Sequence, residues 1–374
     1  MFIEIGGAVR CRWVPATVAV LAGATVLAGT VPAAASQVSR VDCSANRDAL
    51  QPAINGAAPG ETLLVTGLCT GPFTISKNLT LDGGGPAVLN GKDTGRTVTV
   101  GSTAEVHLRG LIIIGGRGGI NNEGTLTVSD SVVTGNTTYG PGGGINNAEK
   151  ATLVVTGSEV RHNTSFGAGG GISNNGSLTM RDSDVYGNSA DNCGGIDSVG
   201  TGITAVVIDS SLYDNDARIA DGGGICEGQS TLALVDSEVR ENTAKFGAGI
   251  YNRAGTVSLT RSRVLRNTAS GRGGGIINVN DGAVNVTRSA VTDNTAAGGP
   301  GSGGGIYNAD GAVRLNDSQV TRNTPDDCGP PGSVPGCTGR TAGRCRRACS
   351  RGIRWCGSPA GRRTHSPIGV AVGR

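Results

Sequence analysis

Aromatic residues make up only 3% of this 374-residue chain: two Trp, five Tyr and four Phe. A large ring-packed core of the usual globular kind is therefore excluded. Charged residues are also few, at 16%, while hydrophobic residues reach 37%. That balance is too apolar and too weakly charged for a disordered chain. Histidine occurs three times. His107 flanks a strand-like stretch, His162 sits in a turn-like one and His365 lies near the end, and all three read as solvated surface residues. Glycine is abundant, 65 residues, yet it shows no every-third spacing and Pro is only 14, so collagen is excluded. What survives is a glycine-punctuated β architecture around a narrow aliphatic core.

The formal charge of +3 is unevenly spread. Residues 325–374 carry nine Arg and two Asp, residues 1–35 carry Arg10, Arg12 and Glu4, and the remaining body is net −5. An acidic body offers no basic stripe for a nucleic-acid backbone. Residues 1–35 read as a secretory signal peptide: Arg10 and Arg12, then an apolar stretch from Val14 to Leu27, then Ala33-Ala34-Ala35 at the cleavage site. No second apolar run follows, so the mature chain is expected to lack a transmembrane span and to be secreted or held at the cell surface. Residues 340–374, rich in Arg and Cys, carry no repeat. They read either as a basic surface-binding extension or as GC-rich DNA translated out of frame, and in both cases as disordered.

Internal repetition settles the organisation. A Gly-Gly-Ile element, once Ala-Gly-Ile, places its Ile at 120, 145, 172, 196, 225, 250, 276 and 306. An aliphatic residue followed three later by Asn places Asn at 136, 163, 188, 215, 242, 267, 294 and 323. Alternating apolar pairs recur between them: Leu126/Val128, Leu153/Val155, Leu178/Met180, Val206/Ile208, Leu232/Leu234, Val257/Leu259, Val284/Val286 and Val313/Leu315. Each repeat thus holds about three short strands, and one strand of each kind buries its inner face only by stacking on the next repeat. The predicted fold is all-β: one right-handed parallel β-helix of about eleven coils. Residues 36–117 form an N-terminal cap and the first coils, and residues 118–339 form the repeat region.

The repeated polar residues have structural reasons. Asn suits the left-handed backbone of a sharp turn and, stacked, forms a hydrogen-bonded ladder. A second Asn series follows two residues after the recurrent Ile: Asn122, Asn147, Asn174, Asn252, Asn278 and Asn308. Residues 41–117 lack the Gly-Gly-Ile element but alternate well, as in Phe73/Ile75 and Val98/Val100. Asn46 to Asn55, with Leu50 and Ile54 on one face, reads as a short capping helix over an otherwise exposed edge. Cys43 and Cys69 lie one coil apart and suit a disulfide there; Cys328 and Cys337, around a Gly-Pro-Pro-Gly turn, suit another.

The chain resembles the pectin-lyase-like, right-handed β-helix superfamily, and its repeat is similar to the polymorphic membrane protein repeat. That repeat joins an aromatic-x-x-Asn element to a Gly-Gly-Ala-Ile element. The match here is Val239-Arg240-Glu241-Asn242-Thr243 followed by Gly247-Ala248-Gly249-Ile250, with an aliphatic residue throughout in place of the aromatic. The resemblance implies the fold over 118–324 closely and over 41–117 loosely. β-Helix enzymes mostly cleave acidic polysaccharides, pectate lyases with Ca²⁺ on an Asp cluster and an Arg base. The polygalacturonase set of motifs is missing here, and Asp326-Asp327 stands in the terminal segment with no partner motif around it.

Two features stand out as candidate sites. Between 191 and 227 the second Asn series breaks to Ser198 and Glu227, and Asp191, Asp197, Asp221 and Glu227 are placed to converge on adjacent coils. Paired carboxyls there suit general acid–base chemistry or a hard cation such as Ca²⁺, the one cofactor the pattern suggests. No metal-ligand motif is present, and a Cys193–Cys226 disulfide explains the irregularity without any function. The other feature is a stripe two residues before the first Asn series: Arg161, Tyr186, Tyr213 and Arg240. Two rings between two guanidinium groups suit a carbohydrate chain running along the axis. Function therefore reads as a non-catalytic secreted or surface protein that binds a glycan or another surface component. The alternative is an extracellular polysaccharide lyase or glycoside hydrolase acting on acidic polysaccharide.

Overall fold

A computed structural model describes residues 37–337. The signal-peptide reading of 1–35, the tail 340–374 and His365 lie outside the described residues. From Gln37 the chain winds as a parallel β-helix of about eleven coils, with one short helix. All strand pairings are parallel, in sheets of 20, 11 and 7 strands. One coil shows the plan: strands Ile145–Asn147, Thr152–Thr156, Glu159–Arg161 and Thr164–Ala168. Each lies in register on the next coil, Ile145 on Ile172, Leu153 on Leu178, Val160 on Val185 and Thr164 on Ser189. The coil thus has four strands where the sequence pattern suggested about three. The alternating strand and the one after it belong to one sheet, folded at a single left-handed residue.

Inward side chains stack like on like. Ile145, Leu153, Val155 and Val160 are fully buried, and their counterparts in neighbouring coils form one continuous aliphatic core. Each such burial is worth about 1.5–3 kcal/mol, so the stack is the main source of stability. One apolar pair differs from the expected phase. In strand Thr204–Ile208, Ala205 and Val207 point inward, and Val206 and Ile208 face out half-buried. Three consecutive aliphatic residues leave the phase open there, and pairing fixes it: Ala205 sits on Leu178 and Val207 on Met180.

The corners also differ from expectation in one respect. The column asparagines are not themselves left-handed; the residue before each one is. Gly135, His162, Gly187, Asp214, Glu241, Arg266, Asp293 and Arg322 all have positive φ. The bend is thereby made one residue early, which turns the Asn side chain into the interior. The glycine runs are required by close approach. At Gly142, φ is +67° and a Cβ would lie 2.3 Å from the Ile145 carbonyl oxygen; at Gly143 it would lie 2.4 Å from the Gly170 oxygen. Only glycine fits where coils pass this closely.

Helix Leu50–Gly56 closes the first coil with Leu50 and Ile54 buried, and Pro52 sits in its first turn, where no intrahelical N–H is lost. Disulfides join Cys43 to Cys69 and Cys328 to Cys337, one near each end of the described residues. Among the described residues no helix is long and apolar enough to cross a membrane.

Candidate functional site

The first asparagine column is continuous. Asn188, for example, donates its backbone N–H (3.1 Å) and side-chain Nδ2 (3.0 Å) to Asn215 Oδ1, and a second Nδ2 hydrogen to the Val160 carbonyl at 2.9 Å. The pattern repeats to Asn323, whose donors end on Asp327 Oδ1 at 2.9 and 3.1 Å. Asp327 is buried and terminates the ladder, and buried Asp326 accepts from the Gly301 N–H at 2.7 Å. The Asp-Asp pair that stood alone in the sequence is therefore the end-stop of the stack. A carboxylate suits it because it accepts without needing a further partner.

The second column is broken. Asn122 donates to Asn147 and Asn147 to Asn174, both at 2.8 Å, but Asn174 reaches Ser198 Oγ only at 3.4 Å. The column resumes from Asn252 to Asn278 at 2.7 Å and on to Asn308 at 2.8 Å. At the break a cavity of about 430 Å³ opens, with Asp197, Asp221, Glu227, Tyr251, Arg253, Cys193 and Cys226 among the residues of its walls. Those two cysteines form a disulfide, Cα–Cα 5.6 Å. Asp197, Cys226 and Tyr251 occupy one register position on three consecutive coils, and Ser198, Glu227 and Asn252 the next.

Burial sets the electrostatics of this cavity. Glu227 is 1% exposed and Asp197 is 9% exposed. Loss of water pushes Glu227 up to about 8, helped by the Asp197 charge and opposed by the Ser230 hydroxyl. Burial likewise raises Asp197 to about 6 against a hydrogen bond from Ser173. Asp221 is raised by burial, and the Tyr251 hydroxyl, Lys245 and Arg253 pull it the other way. Burial, with the Asp221 charge and hydrogen bond, raises Tyr251 too. Burial thus raises the carboxyls of Glu227 and Asp197 to different extents, Glu227 the further.

Three of the four acidic candidates thus share one cavity. Asp191 does not line it; its carboxylate pairs with Arg218 at 2.7 Å. As for metals, Cys193, Asp197 and Cys226 bring ligand atoms within 4.8 Å of one another. Both sulfurs are already bonded to each other, so the trio offers a cation a single carboxylate and no thiolate.

The stripe is assembled as well: Arg161, Tyr186, Tyr213 and Arg240 are successive register partners. The two rings stack at 4.7 Å with a 4° interplanar angle. Arg240 covers the far face of Tyr213 at 4.0 Å. Its guanidinium also pairs with Glu238 (3.1 Å) and Glu241 (2.5 Å), and Arg161 pairs with Glu159 at 2.8 Å. Tyr186 donates its hydroxyl to that same Glu159 at 2.9 Å, and burial with this bond pushes the phenol up to about 12. Ring faces and cations are thus engaged with each other.

A different aromatic pair has free surface. Tyr139 is 84% exposed and Phe166 is 47% exposed, stacked at 5.0 Å, and Arg218 lies over Phe166 at 4.9 Å. Tyr139, Phe166, Asp191 and Arg218 each fall three residues after a first-column Asn, a signal that was available in the sequence. The strand bearing Phe166 also carries Ala168, which lines the cavity and pairs with Asn192 on its wall.

No protein-family profile matches the sequence, and neither does any curated protein. Two solved structures resemble the backbone. An alginate lyase from Paenibacillus sp. str. FPU-7 is 14% identical over 80% of this chain and 99% of its own, with a TM-score of 0.40. The pectate lyase Pel9A is 16% identical over 76% of this chain and 79% of its own, with a TM-score of 0.47. At such identities and scores neither neighbour's activity transfers to this chain, whose parallel β-helix is established by its own strand register.

Proposed function

We propose that this is an exported, extracellular glycan-binding β-helix that seats a polysaccharide segment in the cavity between Asp197 and Arg253. The observation that carries the reading is the coincidence of three features on adjacent coils. The polar column is interrupted, a disulfide braces the interruption, and carboxyls, a tyrosine and an arginine converge there. The exposed Tyr139–Phe166 pair supplies apolar ring surface beside it, and about 430 Å³ accommodates a short run of sugar units. Tyr251→Phe combined with Asp221→Asn removes two polar contacts to the ligand without disturbing the core. Glycan-array binding followed by calorimetry is expected to show affinity about tenfold weaker, as for one or two lost hydrogen bonds. Unchanged affinity would remove the cavity as the binding site.

Three acidic residues, Asp197, Asp221 and Glu227, lining one cavity favour a second reading, a lyase or glycoside hydrolase acting on acidic polysaccharide. Its test is the mature chain incubated with polyuronates, with and without Ca²⁺. Unsaturated products or new reducing ends that vanish in Asp197→Asn establish it; intact polymer with retained binding leaves the first reading alone.

A further inference from the structure

A carboxylic acid stands where the second column calls for an amide. In an unbroken step, the side-chain N–H of one asparagine donates to the Oδ1 of the next coil, as Asn252 does to Asn278 at 2.7 Å. Glu227 is the register partner that precedes Asn252, so Asn252 Oδ1 is the acceptor it should supply. An ionised carboxylate has nothing to donate. Two buried oxygens are left without partners at this step, Glu227 Oε2 and Asn252 Oδ1. The Glu227 stem and the Asn252 carbonyl flank the same turn: a Cβ at Gly255 would lie 2.9 Å from both Glu227 Cγ and Asn252 Oδ1.

Counting hydrogens makes the shortage explicit. The Ser230 hydroxyl contacts Glu227 Oε1 and also the Ser198 carbonyl at 2.7 Å, yet it has one hydrogen to give. Glu227 Oε1, Glu227 Oε2 and Asn252 Oδ1 thus have at most that one hydroxyl hydrogen among them, and one added proton relieves the shortage. We propose that Glu227 carries a proton in the folded protein and donates Oε2–H to Asn252 Oδ1, so that its ionisation severs this one link between the interrupted coils and the resumed column. A buried acceptor left unmatched costs more than an ordinary hydrogen bond contributes, which gives the proton its hold.

The surrounding charges agree. From the preceding coil Asp197 and Ser198 face this position, and from the following coil Tyr251, Asn252 and Arg253. Ser230 closes it from its own turn, Asp221 is another residue lining the cavity, and the adjacent Cys226 is held in its disulfide. Arg253 is the one cation among them, and its charge acts on Asp221 and Tyr251. Burial, with a smaller contribution from the Asp197 charge, pushes Glu227 up to about 8 from an ordinary 4.5. Between those two values the unfolded chain releases this proton and the folded chain keeps it. Stability from this group is therefore whole at low pH, declines as pH rises through that window, and levels off above it.

The inference is independent of what the cavity binds. Its test is thermal unfolding of the wild-type chain and Glu227→Gln between pH 5 and 9. Glutamine donates the same bond and does not ionise. The midpoints should coincide near pH 5, and at pH 9 the variant should exceed wild type by on the order of 5 °C. Parallel curves would overturn the proposal. Infrared spectra of the wild type supply a second readout that needs no variant. A protonated-carboxyl C=O band persisting at pH 7 and titrating away by pH 9–10 is expected, and its absence at pH 7 would equally overturn the proposal.

Discussion

Two columns of asparagine run up this molecule, and they differ in one place. The column from Asn136 to Asn323 has an amide on every coil and a carboxylate stop at Asp327. The column from Asn122 to Asn308 loses its amide on two successive coils, at Ser198 and Glu227, and a cavity opens there. Both columns are almost wholly buried and repeat with the same period, the first at the corner between the 20- and 7-stranded sheets and the second near the ends of strands in the 11-stranded sheet. The intact column shows what the architecture requires of such a position, so the broken one shows what has been given up. A solenoid tolerates that loss locally because each coil leans only on its neighbours. The polar groups released at the break are the ones that can face a ligand.

The largest effects belong to the intact column and the core beside it. Asn215 accepts two bonds from Asn188 and donates to Val185 O and Asn242 Oδ1. Asn215→Ala strands two donors and an acceptor on the preceding coil and removes one donor from Asn242 on the following coil, and about 3 kcal/mol or more should be lost in denaturant titration. Val239→Asp, which buries an unpaired charge in the aliphatic stack, should be at least as severe. Its neighbour Arg240 is on the outer face, and Arg240→Ala should cost under about 1 kcal/mol. Equal losses at 239 and 240 would contradict the inward and outward assignment.

Repairing the broken column sharpens the comparison from the other side. Ser198→Asn with Glu227→Asn returns amides to both coils, and the ladder should then run unbroken from Asn122 to Asn308. A gain of about 1 kcal/mol is expected above pH 7, where wild-type Glu227 is ionising. Glycan affinity should fall at least tenfold as the cavity loses its acid. A repaired column that still binds would place the ligand elsewhere on the surface.

How much of this was legible follows from the same repetition. Ile, Gly and Asn recur because each coil rebuilds the same environment, and the cavity showed itself as the only place where Asn became Ser and Glu. What the pattern missed was whatever is not repeated. Val206-Val207-Ile208 carries no alternation of its own, and the neighbouring strands choose its phase. Asp326 and Asp327 act once, at the end of the stack. Tyr139 and Phe166 form a pair on only two coils. The left-handed residues before the column asparagines were hidden because Gly, His, Asp, Glu and Arg all serve there. Nor did the sequence show that the stripe from Arg161 to Arg240 turns its groups upon each other, since the acidic partners Glu159, Glu238 and Glu241 are shared across coils.

The stripe yields a smaller prediction that tests one face against the other. Tyr186→Ala with Tyr213→Ala removes a ring stack and the Glu159 hydrogen bond. A stability loss of about 1–2 kcal/mol is expected, with glycan affinity retained. Affinity reduced tenfold with stability unchanged would instead make the stripe the binding surface.

The smallest effect lies at the turns, where two contributions of opposite sign meet. Arg261 has φ +51° and forms a bidentate ion pair with Asp236, Nε at 2.6 Å and Nη2 at 2.5 Å. The same turn position is Gly157 in an earlier coil, also with positive φ. Arg261→Gly removes a left-handed side chain worth roughly 1 kcal/mol of backbone strain. It also removes a half-exposed ion pair, which water and salt screen so that it contributes little, and it loosens the unfolded chain. The three changes nearly cancel, and stability should move by no more than about 0.5 kcal/mol. Salt decides which contribution remains: at high ionic strength the pair is screened and the glycine variant should match or exceed wild type, whereas at low salt it should fall slightly below. A loss of several kcal/mol at either ionic strength would mean that the arginine at this turn, unlike Arg240, is needed for the coil to form.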